Sequence, residues 1–265
     1  MCECILGGLI RSGKYAGDSI TVYNRTEATV KRLCSQYGVR AGESASHVAS
    51  NAKIVLVGVK PYTVCTVLES IRDALKEDTI IVSVAAAITI AAMEKAVGRP
   101  CKIIRTMPNV PARVGAGITS ITPNSCVTPE ETASVVKMFN TVGKTVEVAE
   151  SQIHAVVGVA GSSPAYVFMF MEAMADAAVH GGLPRTQAYE LAAQAVLGSA
   201  KLLQQQQEEK NDQASPAQLK DVVCSPGGTT IEAVRSLEKG GLRTTVIEAM
   251  IACMEKSKEL EAKLN

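Results

Sequence analysis

Ile54-Val-Leu-Val-Gly-Val-Lys-Pro61 is a continuous apolar run closed by a glycine, a lysine and a proline able to open a helix. A run of this kind, β-branched and without polar alternation, is what a strand buried on both faces requires. Three more segments share the character: Ile20 to Tyr23, Thr79 to Val84 and Lys102 to Met107. Amphipathic stretches separate them. Thr26 can cap a helix that Gly38 ends, Pro61 opens one reaching about Leu75, and Thr89 starts another that stops near Gly98. Short strands alternating with helices predict βαβ units and an α/β fold with a doubly wound parallel sheet. A β-rich stretch, Ala116 to Thr122, follows, then a capping box at Thr128-Pro-Glu-Glu131 and a last strand at Thr145 to Val148.

Strand signals vanish after about residue 150, and long helical periods take over, broken at Gly161, Gly181-Gly182, Asn211 to Pro216, Ser225 to Gly228 and Gly240-Gly241. Residues 1–150 therefore read as a Rossmann-like dinucleotide-binding domain and 151–265 as an all-helical domain. Helices at Ala165 to His180 and Gln187 to Gln206 are apolar around much of their circumference, more than one small domain buries alone, so a partner subunit is expected over them. The polar tract Gln204 to Asp212 reads as an exposed loop and a frayed helix end, with low-complexity disorder as the alternative.

A net charge of +1, with 20% charged residues of both signs interspersed, gives no footprint for nucleic acid or an anionic membrane. No apolar run is expected to span a bilayer, and the N-terminus has no basic region followed by an apolar core, so the protein is read as cytoplasmic with a small-molecule partner. The eight cysteines and three histidines have no ligand spacing, so no metal is expected.

In doubly wound folds the cofactor lies at the carboxyl ends of the strands. After the first strand comes Asn24-Arg25-Thr26, where an enzyme using NAD would place an acid for the ribose hydroxyls; Arg25 suits a 2′-phosphate, or is a solvated arginine in a capped turn. Ser44 joins this group. Gly58-Val59-Lys60-Pro61 offers a small residue where a cofactor can approach and a lysine that can reach a phosphate or ribose. Val84-Ala85-Ala86 forms a small-residue floor. Asn109, in Met107-Pro-Asn-Val-Pro111, can bond a ribose or carboxamide, or belong to a simple proline-rich turn.

Asp221-Val-Val-Cys-Ser-Pro-Gly-Gly-Thr-Thr-Ile-Glu-Ala-Val-Arg235 is a glycine-kinked turn running into a helix. Thr229 and Glu232 have capping-box spacing, and Gly227 and Gly228 let backbone amides converge on a carboxylate at the positive helix end. A well-capped helix start is the alternative.

The ordered set Val59-Lys-Pro61, Arg105-Thr-Met-Pro-Asn109, Gly158-Val-Ala-Gly-Ser-Ser-Pro-Ala-Tyr166, Gly182-Leu-Pro184, Leu219-Lys-Asp221 and Ser225-Pro-Gly-Gly-Thr-Thr230 resembles pyrroline-5-carboxylate reductase along essentially the whole chain. The resemblance implies reduction of the cyclic imine to L-proline with NADPH, NADH being possible, in a homodimer interlocked through the helical domain and often assembled into a decamer. It also implies that Ser225, Gly227, Gly228, Thr229 and Thr230 hold the substrate carboxylate and that Thr230, as the catalytic residue, bonds the ring nitrogen. Glu150 matches a position near the substrate and can favour the iminium; a solvated loop acid is the alternative.

Two departures from the family stand out. Gln213-Ala-Ser-Pro216 replaces the acid and histidine expected before the proline. The chain also opens at Met1-Cys-Glu-Cys-Ile-Leu-Gly-Gly-Leu9, where the family has a strand and a Gly-x-Gly-x-x-Gly-type loop. Cys2 to Ser12 then reads as the helix after that loop, with Gly7 and Gly8 at close-packing positions. The absent strand would be central, and about ten residues are expected to be missing from the numbering rather than from the working protein. Two rival readings remain: a β-hydroxyacid dehydrogenase or related imine reductase, for which Lys201 and Lys220 are the candidate lysines, and a truncated, non-catalytic cofactor-binding dimer.

Overall fold

Val55 and Val57 join one hydrophobic cluster and Ile54 and Leu56 pack against another, so the strand that reads as an unbroken apolar run is covered on both sides. The computed structural model describes residues 1–209 and 214–265. The chain separates into two compact units, one made of Met1–Ser162 with Ala252–Asn265, the other of Ser163–Ile251.

The first unit contains the strands β1 (Thr21–Val22), β2 (Arg40–Ala41), β3 (Ile54–Val57), β4 (Ile80–Ser83), β5 (Lys102–Pro108), β6 (Gly117–Pro123) and β7 (Gly143–Glu147). Its helices are α1 (Cys2–Arg11), α2 (Glu27–Tyr37), α3 (Ala45–Asn51), α4 (Val64–Ile71), α5 (Ile90–Val97), α6 (Pro129–Phe139) and α7 (Ile153–Val156). One cluster joins residues of α3, α4 and α5 to Val55, Ile81 and Ile103; the other joins α1 and α6 to Ile80, Val82, Ile104 and Ile121. Helices on both faces of the sheet are the doubly wound arrangement.

The sheet is in two pieces: β1 pairs with β2 in parallel, and the order β3-β4-β5-β6-β7 forms a separate five-stranded sheet. The main sheet is mixed rather than wholly parallel, because β6 returns antiparallel to β5 through the short connection 109–116. A parallel return would need a crossover of a dozen residues or more. The last strand begins at Gly143, earlier than expected.

Local signals account for several element ends. Gly38 and Gly98 stop α2 and α5 in the left-handed conformation. Thr89 caps α5 by accepting from Ala92 N, and Thr128 and Glu131 form the expected capping box on α6. The helix expected from Pro61 to Leu75 is divided, with 3₁₀ turns before and after α4. The expected Cys2–Ser12 helix is α1, and a Cβ on Gly8 would lie 2.0 Å from Val142 Cγ1, so Gly8 is a close-packing position.

The second unit holds α8 (Ser163–His180), α9 (Arg185–Glu209), α10 (Pro216–Val223), α11 (Thr229–Lys239) and the start of α12 (Leu242–Leu264). Ala175, Ala188 and Ala192 are buried in α8 and α9, while Phe168, Met169, Phe170, Leu191 and Leu197 on the same helices are exposed. Residues 204–209 of the polar tract are helical; 210–212, and Gln213, lie outside the described residues.

Two further features depart from the sequence reading. The helical stretch Glu150–His180 is, by length and composition alone, long and apolar enough to cross a membrane. Its apolar residues are spread around scattered polar ones, so no uninterrupted run betrays it. Of the stretch 151–265, residues 151–162 and the last turns of α12 group with the first unit, and Glu261 and Asn265 of α12 bond there to Arg105 and Thr89.

Candidate functional site

The first unit carries the expected cofactor residues. Asn24 and Arg25 follow β1 and line a cavity of about 400 Å³ with Tyr23, Lys31, Cys34 and Glu43. Asn24 Oδ1 accepts from Thr26 N at 2.9 Å, an Asx turn that shapes the strand end. Thr26 stands at the N-cap of α2, but its hydroxyl makes no capping bond and it is not among the cavity lining. Ser44 likewise lies outside the lining; its hydroxyl caps α3 by accepting from His47 N at 3.0 Å. Nearby Lys31 and Arg40 are paired with Glu27 and Asp18, whereas Arg25 has no carboxylate partner among the described residues. The lining residues Lys31, Cys34 and Glu43 were not singled out in the sequence, since Lys31 and Cys34 lie along α2 and Glu43 just beyond β2.

Gly58 follows β3, and a Cβ there would fall 1.7 Å from Cys2 Sγ. The close approach that demands glycine in this structure is therefore the first residue of α1. Burial pushes the Cys2 thiol above its ordinary value. Val59 and Lys60 are exposed, and the Lys60 carbonyl accepts from Thr63 N and Oγ1, which opens the Pro61 turn. After β4, Ala85 is buried while Val84 and Ala86 are partly exposed.

Asn109 directly follows β5. It is 7% exposed, and its carboxamide is used internally: Nδ2 donates to Ala160 O at 3.1 Å and Oδ1 accepts from Ile118 N at 3.0 Å. It ties the ends of β5 and β6 together. Glu150 opens the turn that precedes α7. It is not a lone solvated acid, because Oε1 accepts from Ile90 N at 2.8 Å and from Arg105 Nη1 at 2.8 Å. Arg105, 3% exposed, also donates to Glu261 Oε2 at 2.6 Å, and Glu261 lies 3.2 Å from His154 Nε2. An arginine inside the apolar run Lys102 to Met107 was the one sequence sign of this network.

The second unit carries Ser225, Gly227, Gly228, Thr229 and Thr230. Gly228 N donates to Ser225 O at 3.1 Å, and Gly227 has φ +67°; proline second and a left-handed glycine third are the residues of a type II turn. Gly228, not Thr229, is the N-cap of α11, and no side chain caps it. The expected Thr229–Glu232 box does not form, since Thr229 already lies inside the helix and Glu232 pairs with Arg235 at 2.9 Å. The first-turn amides are left without a side-chain acceptor, which is the arrangement that binds anions. A Cβ on Gly228 would meet Ser225 Oγ at 2.4 Å, so the serine hydroxyl sits over the glycine. Lys220, one of the rival class's two candidates, is paired with Asp221 at 2.8 Å. No group of metal-ligand side chains occurs among the described residues.

Residues 150–260 match the family model described as pyrroline-5-carboxylate reductase dimerisation, and residues 1–87 match one described as NADP oxidoreductase, coenzyme F420-dependent. The chain is 54% identical over 260 residues to the pyrroline-5-carboxylate reductase of Escherichia coli strain K12, covering 98% of this chain and 94% of that one. It is 41% identical over 264 residues to the pyrroline-5-carboxylate reductase of Synechocystis, covering 99% and 96%. Among solved structures, a pyrroline-5-carboxylate reductase from Coxiella burnetii superposes with a TM-score of 0.90 at 34% identity, covering 98% of this chain and 94% of that one. A pyrroline carboxylate reductase of Plasmodium falciparum with NADP bound gives 0.84 at 28% identity, with the same coverage.

Proposed function

The chain belongs to the pyrroline-5-carboxylate reductase family, and on that premise we propose how its residues serve the reaction. The protein reduces 1-pyrroline-5-carboxylate to L-proline, the last step of proline biosynthesis, with a nicotinamide cofactor. The bound cofactor supplies a hydride to the imine carbon. A protonated imine is already a good electrophile, so positioning is what the chain must contribute.

The observation that carries the assignment of the substrate site is the uncapped start of α11 behind the left-handed Gly227. Ser225, Gly227, Gly228, Thr229 and Thr230 hold the substrate carboxylate there, through first-turn amides and hydroxyls. The Thr230 hydroxyl bonds the ring nitrogen as it passes from imine to amine. Glu150, with its carboxylate occupied by Ile90 N and Arg105, holds the start of α5 rather than acting as a free acid.

For the cofactor, the cavity at Asn24 and Arg25 fits an adenosine end, and an arginine without a carboxylate partner suits a 2′-phosphate; NADPH is the preferred reductant, with NADH the weaker one. Thr26, Ser44, Gly58, Val59, Lys60, Pro61, Val84, Ala85 and Ala86 complete its surroundings at the strand ends. The exposed apolar residues of α8 and α9 are covered by a second copy, giving a homodimer that assembles further into a decamer in the cytoplasm.

Purified protein mixed with pyrroline-5-carboxylate and NADPH is expected to oxidise the cofactor and form proline in equal amounts. Absence of turnover with both NADPH and NADH would leave the non-catalytic reading.

A further inference from the structure

We infer that Asn265 is a positioning residue for the cofactor floor, holding the connection between β4 and α5 in a strained, pre-formed shape. Among the described residues, Ala87 is the non-glycine residue with positive φ, at +63°. An L-residue pays for this conformation, and it persists only where its surroundings enforce it. Ala87 directly follows Val84-Ala85-Ala86, and the inference rests on the reading of those residues as the cofactor floor.

The enforcing contacts come from one carboxamide. Asn265 Nδ2 donates to Ala87 O at 2.9 Å, while Oδ1 accepts from both Thr89 N and Thr89 Oγ1 at 2.8 Å. Thr89 in turn caps α5 through Ala92 N, and the next amide, Ile90 N, is held by Glu150. Asn265 is itself fixed, because its backbone N–H donates to Glu261 O at 3.2 Å and the Glu261 carboxylate is bound by Arg105. A donor at one end of the planar amide and an acceptor at the other are both used; aspartate would keep the acceptor and lose the donor. With the turn already formed, cofactor binding does not bear the cost of ordering it.

The test is a double-mutant cycle on NADPH dissociation constants, with melting curves to confirm folding. Asn265→Ala is expected to weaken NADPH binding about three- to tenfold, and Asn265→Asp by less, with kcat at saturating NADPH within about twofold of the parent. Ala87→Gly removes the strain, so in its background Asn265→Ala should cost clearly less; this rescue is what a merely structural role would not produce. Ala86→Val crowds the floor directly and should weaken NADPH binding. If Ala86→Val weakens binding but Asn265→Ala does not, or the cycle is additive, the clasp is overturned and the floor reading stands. If neither variant changes NADPH binding, the floor reading fails and the clasp fails with it.

Discussion

Arg105 Nη1 donates to Glu150 Oε1 at 2.8 Å from a guanidinium that is 3% exposed and also holds Glu261. The two carboxylates are more exposed than the arginine, at 34% and 20% for their side chains. Removing both acids leaves a buried cation unpaired, whereas removing the arginine leaves carboxylates that water can reach. Glu150→Ala with Glu261→Ala is therefore expected to lower stability by about 3–5 kcal/mol, and Arg105→Met by less. Urea unfolding decides, and the opposite order would contradict the account.

Lys102 Nζ lies 2.5 Å from Glu131 Oε1, and this bond, followed by that from the Thr128 amide, holds the Glu131 carboxyl below its ordinary range. A depressed carboxylate contributes stability above its unfolded pKa of about 4.3, and that contribution is lost as pH falls through the folded value. The stability gap between parent and Lys102→Met is expected to be full at neutral pH and to close below about pH 4. A gap that stays constant into acid would contradict the pairing.

Ala87 occupies a left-handed turn that glycine adopts without strain. Relief of strain exceeds the added entropy of the unfolded chain, so Ala87→Gly is expected to stabilise by about 0.5–1 kcal/mol. A lower melting temperature would show that the turn is not strained.

Arg25 lines the strand-end cavity without a carboxylate partner among the described residues. Arg25→Asp places a charge there that repels a 2′-phosphate and can bond a ribose diol. The ratio of kcat/KM with NADPH to that with NADH should fall by roughly a hundredfold, the product of a lost charged contact and a new repulsion. An unchanged ratio would remove Arg25 from cofactor selection.

The parts of this molecule that were legible in its sequence are those set by local chemistry. Ile54 to Val57 and Ile80 to Ser83 read as buried strands because both faces are covered, and Thr128-Pro-Glu-Glu131 reads as a capping box because its partners are three residues apart. The Thr229–Glu232 box has the same spacing and does not form, since the Ser225–Gly228 turn puts the cap one residue earlier. Asn109 was legible as a polar residue at a strand end and Glu150 as a family position, but neither as an occupied group, because their partners Ile118, Ala160, Ile90 and Arg105 are brought in by tertiary packing. The antiparallel β6 and the docking of Glu261, 156 residues from Arg105, leave no periodic trace at all.

Thr230 carries the central claim, that the start of α11 is where the imine is held and reduced. The deciding measurement is pyrroline-5-carboxylate-dependent loss of reduced-nicotinamide absorbance, compared between parent and Thr230→Ala. Turnover by the parent, a kcat at least about tenfold lower in the variant and NADPH binding within about twofold are the expected results, from loss of one hydrogen bond at the reacting nitrogen. Equal turnover by parent and variant would contradict it.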